Sequence, residues 1–315
     1  METQTSMPIK CKKCRSADAE ISLPYAGLSL CPECFLEYYV NRIARTVKKY
    51  KMFREDEAVG VAVSGGKDSA ALLHGLHKAF PDQEFFGLHV NLGIPKYSDH
   101  IQKKAEEITN LVGIKLYVFN LEKEEGISLD DFKKTIFGRK ICSVCGTIKR
   151  HVFEELARNA GVEVLATGHN MDDILGFMFN NFFSGQWLQL IRLKPVLPPL
   201  IPGMTRKIKP LISTPERESL LYCLYAEIPF REMNCPYSRG TKTKERLKML
   251  EVLSQNNPSF RHQALKSFLK LSSILEKSVE QPKVIPCKIC GFPSTNGTCA
   301  YCKRIAYLSE KLKSK

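Results

Sequence analysis

The sequence predicts an α/β protein, a doubly wound parallel sheet with a small zinc module at each terminus. Three observations carry that expectation. Charge-free, β-branched runs alternate with amphipathic helical segments through the middle of the chain, the pattern of a parallel sheet covered on both faces. One of those runs ends in a glycine-rich turn that opens a helix. Two sets of four cysteines, each built of Cys-x-x-Cys pairs, stand near the two ends. A length of 315 residues admits one large domain and smaller attachments, and the division expected is 1–53, 54–280 and 281–315.

The elements follow in order. Cys11, Cys14, Cys31 and Cys34 are two knuckles sixteen residues apart, and each knuckle presents two thiolates to one tetrahedral Zn²⁺. Phe35 to Phe53 has helical period, with Ile43, Val47 and Tyr50 on one face and Arg42, Arg45, Lys48, Lys49 and Lys51 on others, and links the module to the main domain. Val59, Val61 and Val63 then mark a buried strand, followed by Ser64-Gly65-Gly66-Lys67-Asp68-Ser69 and a helix. Two glycines let backbone N–H groups close on an anion, and the helix points its positive end at it. The spacing is not that of the Walker loop.

Further strands are expected at 85–91, 115–120 and 162–167, and helices at 101–112 and 143–159. The first of these helices is opened by Ser98 or Asp99 and stopped by Gly113; another is opened by Ser128 with Asp131 in capping-box position. Four prolines between Leu193 and Met204 predict an extended loop over or beside the site. Pro215 starts a helix capped by Ser213 and Thr214, and two more helices, at 244–255 and 258–277, lead to Cys287, Cys290, Cys299 and Cys302, a second zinc set with turn residues between its pairs. Lys311 to Lys315 read as a solvated basic tail.

The charge balance narrows the partners. Lys and Arg number 47 against 33 Asp and Glu, a net charge of +14, and such an excess attracts polyanions, of which nucleic acid is the commonest inside a cell. No basic amphipathic helix with a large apolar face argues for a membrane surface instead. Residues 1–10 lack the apolar core of a signal peptide, and no run approaches the ~18 apolar residues of a spanning helix, so a cytoplasmic protein without membrane contact is expected. Twelve cysteines in that compartment point to metal or redox chemistry rather than disulfides.

Four cysteines remain outside the zinc sets. Cys223 lies in an apolar run and reads as a buried thiol. Cys142 and Cys145, with Lys149 one turn on, share a helix face, and Cys235 begins a loop, Cys-Pro-Tyr-Ser, with Arg231 and Arg239 nearby. Three cysteines and a lysine suit an iron-sulfur cluster with one open iron, or a reactive persulfide pair.

Together, Ser64 to Ser69, the Cys-Ser-Val-Cys-Gly at 142–146 with Lys149-Arg150, the Gly-His-Asn-Met-Asp-Asp at 168–173 and the Asn-Cys-Pro-Tyr-Ser at 234–238 resemble the tRNA 2-thiolation enzymes of the PP-loop ATP pyrophosphatase superfamily, with its adenine nucleotide α-hydrolase-like fold. The paired end modules narrow the resemblance to the TtuA and cytosolic wobble-uridine thiolase group, over nearly the whole chain; the cytidine thiolase TtcA is similar only in the middle. The resemblance implies ATP at Ser64, Gly65, Gly66, Lys67, Asp68 and Ser69, with Lys67 on the phosphates and Asp68 near Mg²⁺. Gly168 and His169 would lie close to the nucleotide. Cys142, Cys145 and Cys235 would ligate a 4Fe-4S cluster, and Lys149 and Asp173 match catalytic positions. At Ile174 many relatives carry an acidic residue, so no carboxylate role carries to that position.

The implied reaction adenylates a uridine C2 oxygen and replaces it with sulfur, taken from sulfide or from a ubiquitin-like thiocarboxylate carrier; relatives are often homodimers. Arg139, Lys140, Lys149, Arg150, Arg192, Lys194, Arg206, Lys207, Arg239, Lys242 and Lys244 would meet the tRNA phosphates. Four other readings stand beside this one: iron-free persulfide chemistry, cytidine 2-thiolation, a PP-loop amidating ligase, and a zinc-ribbon RNA-binding scaffold with an inactive loop.

Overall fold

The structure, a computed structural model, describes residues 9–238 and 241–313, and of these leaves aside the side chains of 241–247 and 313. Arg239 and the side chains of Lys242 and Lys244 lie outside the described residues.

A hairpin of β1 (Ile21–Leu23) and β2 (Leu28–Leu30) leads into α1 (Pro32–Tyr50). Then come β3 (Val59–Ala62), α2 (Lys67–Ala79), β4 (Phe85–Asn91), α3 (Ser98–Val112), β5 (Leu116–Asn120), α4 (Leu121–Glu125), α5 (Ile141–Asn159), β6 (Val164–Ala166), α6 (Met171–Phe183) and α7 (Trp187–Ile191). After β7 (Val196–Leu197) and β8 (Arg206–Ile208) the chain continues as α8 (Glu216–Tyr225), α9 (Thr241–Asn256), α10 (Phe260–Ser278), the hairpin β9 (Ile285–Pro286) and β10 (Pro293–Ser294), and α11 (Ala300–Lys313). None of the described helices is long and apolar enough to cross a membrane.

The central sheet has the order β5-β4-β3-β6-β8-β7, parallel throughout except for the edge strand β7, which runs antiparallel to β8. Its order reverses between β3 and β6. A crevice opens beyond the carboxyl ends of strands at such a switch point, and there the loop after β3 meets the loop after β6.

Both faces of the sheet are covered. Val59, Val61 and Val164 are fully buried against α2 and α1, while Leu88, Val90 and Leu165 face Val144, Ile148 and Val152 of α5. A third cluster joins Met171, Ile174 and Leu175 of α6 to Leu190 of α7 and Phe268 of α10, and burial of Ile174 there explains an apolar residue at that position. Gly75 lets α1 lie directly on α2, because a Cβ at Gly75 would stand 2.4 Å from Ile43 Cδ1.

The cysteine modules are packed into these same clusters. Cys11, Cys31 and Cys34 join the cluster of Phe35, Tyr39 and Leu72, and Cys287, Cys299 and Cys302 join that of Val144 and Val152.

Several local expectations change. Ser128 and Asp131 form their reciprocal bonds, with Ser128 N donating to Asp131 Oδ2 at 2.8 Å, but they open a single 3-10 turn, Asp130–Lys134, and not an α-helix. Ser98 begins α3 with its hydroxyl turned outward from the helix, accepting Ile94 N at 2.9 Å. The proline-rich stretch contributes the edge strand β7, where a missing N–H costs no ladder bond. Neither Ser213 nor Thr214 caps α8; Pro215 is its cap residue and Asp172 Oδ2 accepts Glu216 N at 2.7 Å instead. The basic tail begins inside α11, where Lys311 Nζ donates to Lys134 O at 3.2 Å.

Candidate active site

The loop after β3 turns through Gly65, at φ +73°, where a Cβ would stand 2.5 Å from Ile101 O. Only glycine tolerates both conditions. Ser69 latches the turn: its Oγ donates to Gly66 O at 2.9 Å and accepts Ser64 N at 3.1 Å. The helix α2 begins at Lys67, earlier than the expected start beyond Ser69, and no side chain caps its first N–H groups. They point into the crevice as anion donors.

Lys67 Nζ lies 2.9 Å from Asp68 Oδ2 and 2.6 Å from Glu216 Oε1. Burial alone would lower its pKa, but the two carboxylates hold it above the ordinary lysine value. Asp68 Oδ1 also accepts Asn170 Nδ2 at 3.0 Å. The loop after β6 lies against the turn, because Gly168 has no side chain; a Cβ there would stand 3.1 Å from the Asp68 carbonyl carbon and from Ser69 N. His169 stands at the rim, its Nδ1 2.9 Å from Thr167 Oγ1.

Asn170 caps α6 in a reciprocal box: Asp173 N donates to Asn170 Oδ1 at 3.0 Å and Asn170 N to Asp173 Oδ2 at 3.3 Å. Burial first, and then the negative charges of Asp68 and Glu216, push the Asp173 carboxyl up to about 7. Asp172 faces away from the cleft; it is buried, paired with Arg261 Nε at 2.7 Å, and anchors α8 by its bond to Glu216 N.

Lys149 and Phe153 of α5 form the opposite wall and Arg231 covers the turn. Arg231 N donates to Gly65 O at 2.7 Å, and its guanidinium lies 5.5 Å from the Tyr97 ring centre. The cleft so enclosed holds about 560 Å³, a size suited to a nucleotide.

The cysteine trio adjoins it. Cys142, Cys145 and Lys149 lie on α5, and Cys142 Sγ donates to Tyr237 O at 3.6 Å, which ties the Cys235 loop to the helix. Tyr237 is held in turn by a hydrogen bond to Asp130. Burial pushes the Cys145 thiol up, Lys149 opposes that, and the nearby Cys235 and Cys142 add to it. Among the described residues, only the terminal sets Cys11, Cys14, Cys31, Cys34 and Cys287, Cys290, Cys299, Cys302 bring their ligand atoms within 4.8 Å of one another, the closeness that one ion requires. Cys223 is buried and its Sγ donates to Lys67 O at 3.3 Å, so it supports the turn from beneath.

The basic residues divide. Arg206 pairs with Glu57, Lys207 with Glu154 at 2.8 Å, and Lys194 with Glu276, so these three are tied to carboxylates. Arg139, Lys140, Lys149, Arg150 and Arg192 make no ion pair among the described residues, and Arg192 lies near enough to help burial lower the Arg150 pKa.

Glu216, Asn170 and Arg231 were not foreseen as site residues. Asn170 had a signal, since an Asn followed three residues later by Asp is a capping pattern. Glu216 had none: it is 149 residues from the lysine it holds.

A model of the PP-loop domain matches residues 38–233, and one of the N-terminal LIM domain of the 2-thiouridine synthetase TtuA matches residues 10–36. The tRNA-5-methyluridine(54) 2-sulfurtransferase of Pyrococcus horikoshii is 34% identical over 94% of this chain and 93% of its own. That of Thermus thermophilus is 33% identical over 93% and 90%, and the cytoplasmic tRNA 2-thiolation protein 1 of Xenopus laevis 28% identical over 97% and 90%. The fold is that of the U34-tRNA thiolase NcsA of Methanococcus maripaludis, with a TM-score of 0.80 and 24% identity over 98% of this chain and 97% of that one.

Proposed function

The chain belongs to the PP-loop 2-thiouridine synthetases, tRNA sulfurtransferases that include TtuA, and from that premise we propose that it uses ATP to activate the C2 oxygen of a tRNA uridine and exchanges that oxygen for sulfur. One observation carries the reading. Lys149 lines the nucleotide cleft while sharing α5 with Cys142 and Cys145, so the anion-binding turn and the thiol trio serve one reaction space.

The triphosphate rests on the free N–H groups at the start of α2, with Lys67 neutralising charge as pyrophosphate departs. Asp68, facing the cleft between Lys67 and Asn170, is the residue to hold Mg²⁺. The uridine O2 attacks the α-phosphorus and the bond to pyrophosphate breaks. A C2–S bond then forms as the C2–O bond breaks and AMP leaves. A poor leaving group has become a good one. Lys149 polarises the base, and Asp173, titrating near neutrality, takes up or returns the proton of the uridine ring.

Three thiols from α5 and the Cys235 loop fit a 4Fe-4S cluster with one iron free of protein ligand, and such a cluster, when bound, would hold the sulfide that the donor delivers. The terminal sets fit one Zn²⁺ each. We further propose a cytoplasmic protein divided at 1–53, 54–280 and 281–315, with tRNA and a sulfide or thiocarboxylate donor as partners and a homodimer as its assembly.

The test is to purify the protein without oxygen and measure iron, sulfide, AMP formation with tRNA, and thionucleosides by mass spectrometry. We expect iron and sulfide in the wild type, their loss in Cys142→Ala, and tRNA-dependent AMP. A colourless, iron-free protein that still thiolates tRNA would replace the cluster by persulfide chemistry. Absence of any thionucleoside would remove the whole reading.

A further inference from the structure

Between Asp173 and Glu216 the chain has no acidic residue, yet it carries Arg192, Lys194, Arg206, Lys207 and Lys209. The same segment exposes four aromatic rings: Phe177 is 42% exposed, Phe182 44%, Phe183 78% and Trp187 39%. Phe182, Phe183 and Trp187 form one aromatic face where α6 meets α7, with the Phe182 ring edge-on to Phe183 at 5.6 Å and to Trp187 at 5.7 Å. Phe177, on another side of α6, lies towards the cleft, its ring centre 6.2 Å from that of His169. Beside the aromatic face Arg192 closes α7, its carbonyl accepting from Lys209 Nζ at 3.4 Å, and its guanidinium makes no ion pair among the described residues.

We propose that this face is a stacking platform for unpaired bases of the tRNA loop beside the reacting uridine; the inference rests on the tRNA-thiolase reading and names how the substrate is held. Exposed rings beside an unpaired cation, here Arg192, are what a single-stranded nucleic acid needs, since each base offers a π-face and each linkage a phosphate. A second copy of the chain on the same face would bring no carboxylate from this segment to pair with Arg192. Burying a loop base here also accounts for rings left in water against the hydrophobic effect.

Trp187 is the sole tryptophan, so its fluorescence reports the platform directly. Adding unmodified tRNA to the full-length protein should quench it, and tRNA affinity should fall about tenfold or more in Phe183→Ala and in Trp187→Ala. Because no charge is removed, the slope of log affinity against log salt should be unchanged in both, whereas Arg192→Ala should flatten it. Trp187→Phe should restore binding, and ATP-induced thermal shifts should match the wild type in every variant. Wild-type affinity in both alanine variants, or no quenching, overturns the platform while leaving the thiolase reading intact. A variant that falls from dimer to monomer in sedimentation with tRNA affinity unchanged assigns the face to a second copy and overturns it too. A wild-type protein that binds no tRNA removes both.

Discussion

At the scale of the residue, the cleft is governed by unlike neighbours within hydrogen-bond reach. Lys67 stays charged because Asp68 and Glu216 outweigh its burial, and Asp173 resists ionising because it is buried and, second, because it faces those same two carboxylates. The second effect has a pH consequence. Folded Asp173 keeps its proton to about pH 7, whereas its ordinary value is 3.8. Between those values the folded state binds more protons than the unfolded one, so this group's contribution falls as pH rises through the window and levels above it. Asp173→Asn should remove that loss while keeping an oxygen to accept Asn170 N. In nucleotide-free protein without Mg²⁺, urea denaturation should show the variant gaining on the wild type from pH 4 to 7; a constant difference across that range would contradict the assignment. The variant should also lose most AMP formation.

At the scale of the element, helix starts decide the site. The start of α2 supplies the anion donors, that of α6 presents Asp173, and that of α8 presents Glu216. Asn170 connects two of them, capping α6 and holding Asp68. Asn170→Ala should lower stability by about 1 kcal/mol, the usual cost of a lost cap. Because Asp68 is released as well, ATP affinity should fall several-fold; calorimetric titration and a thermal melt measure the two losses separately, and unchanged ATP binding would show that Asp68 needs no such support.

At the scale of the whole molecule, the terminal modules are parts of the cores that carry the site. Cys287, Cys299 and Cys302 pack with Val144 and Val152 of the helix that bears Lys149 and the thiol pair. Removing a thiol of the proposed zinc site there should therefore disturb the centre. Cys299→Ser should drop the zinc content by one per chain and lower the midpoint of one cooperative melt by several degrees. A separate low-temperature transition with an unchanged main melt would show an independent module.

Much of this was legible in the chain. Alternation of β-branched runs with amphipathic segments is local, and it placed β4 at Phe85–Asn91 to the residue; cysteine spacing and the Ser64 to Ser69 turn are local too. The six-stranded order, with its reversal between β3 and β6, was not legible, because strand neighbours are chosen by packing across the chain. The cap expected for α8 failed for the same reason. Sequence offers Thr214 to α8, but burial leaves Thr214 Oγ1 without a partner and brings in Asp172 from another helix. The sequence by itself determined which chemistry is present: a phosphate-binding turn, two four-thiol sites and three thiols with a lysine. Only the tertiary structure decided what those parts can do to one another. The distances that matter, from Lys67 to Glu216 and from Cys142 to the Cys235 loop, join residues remote in the chain, and the sheet's switch point brings them together.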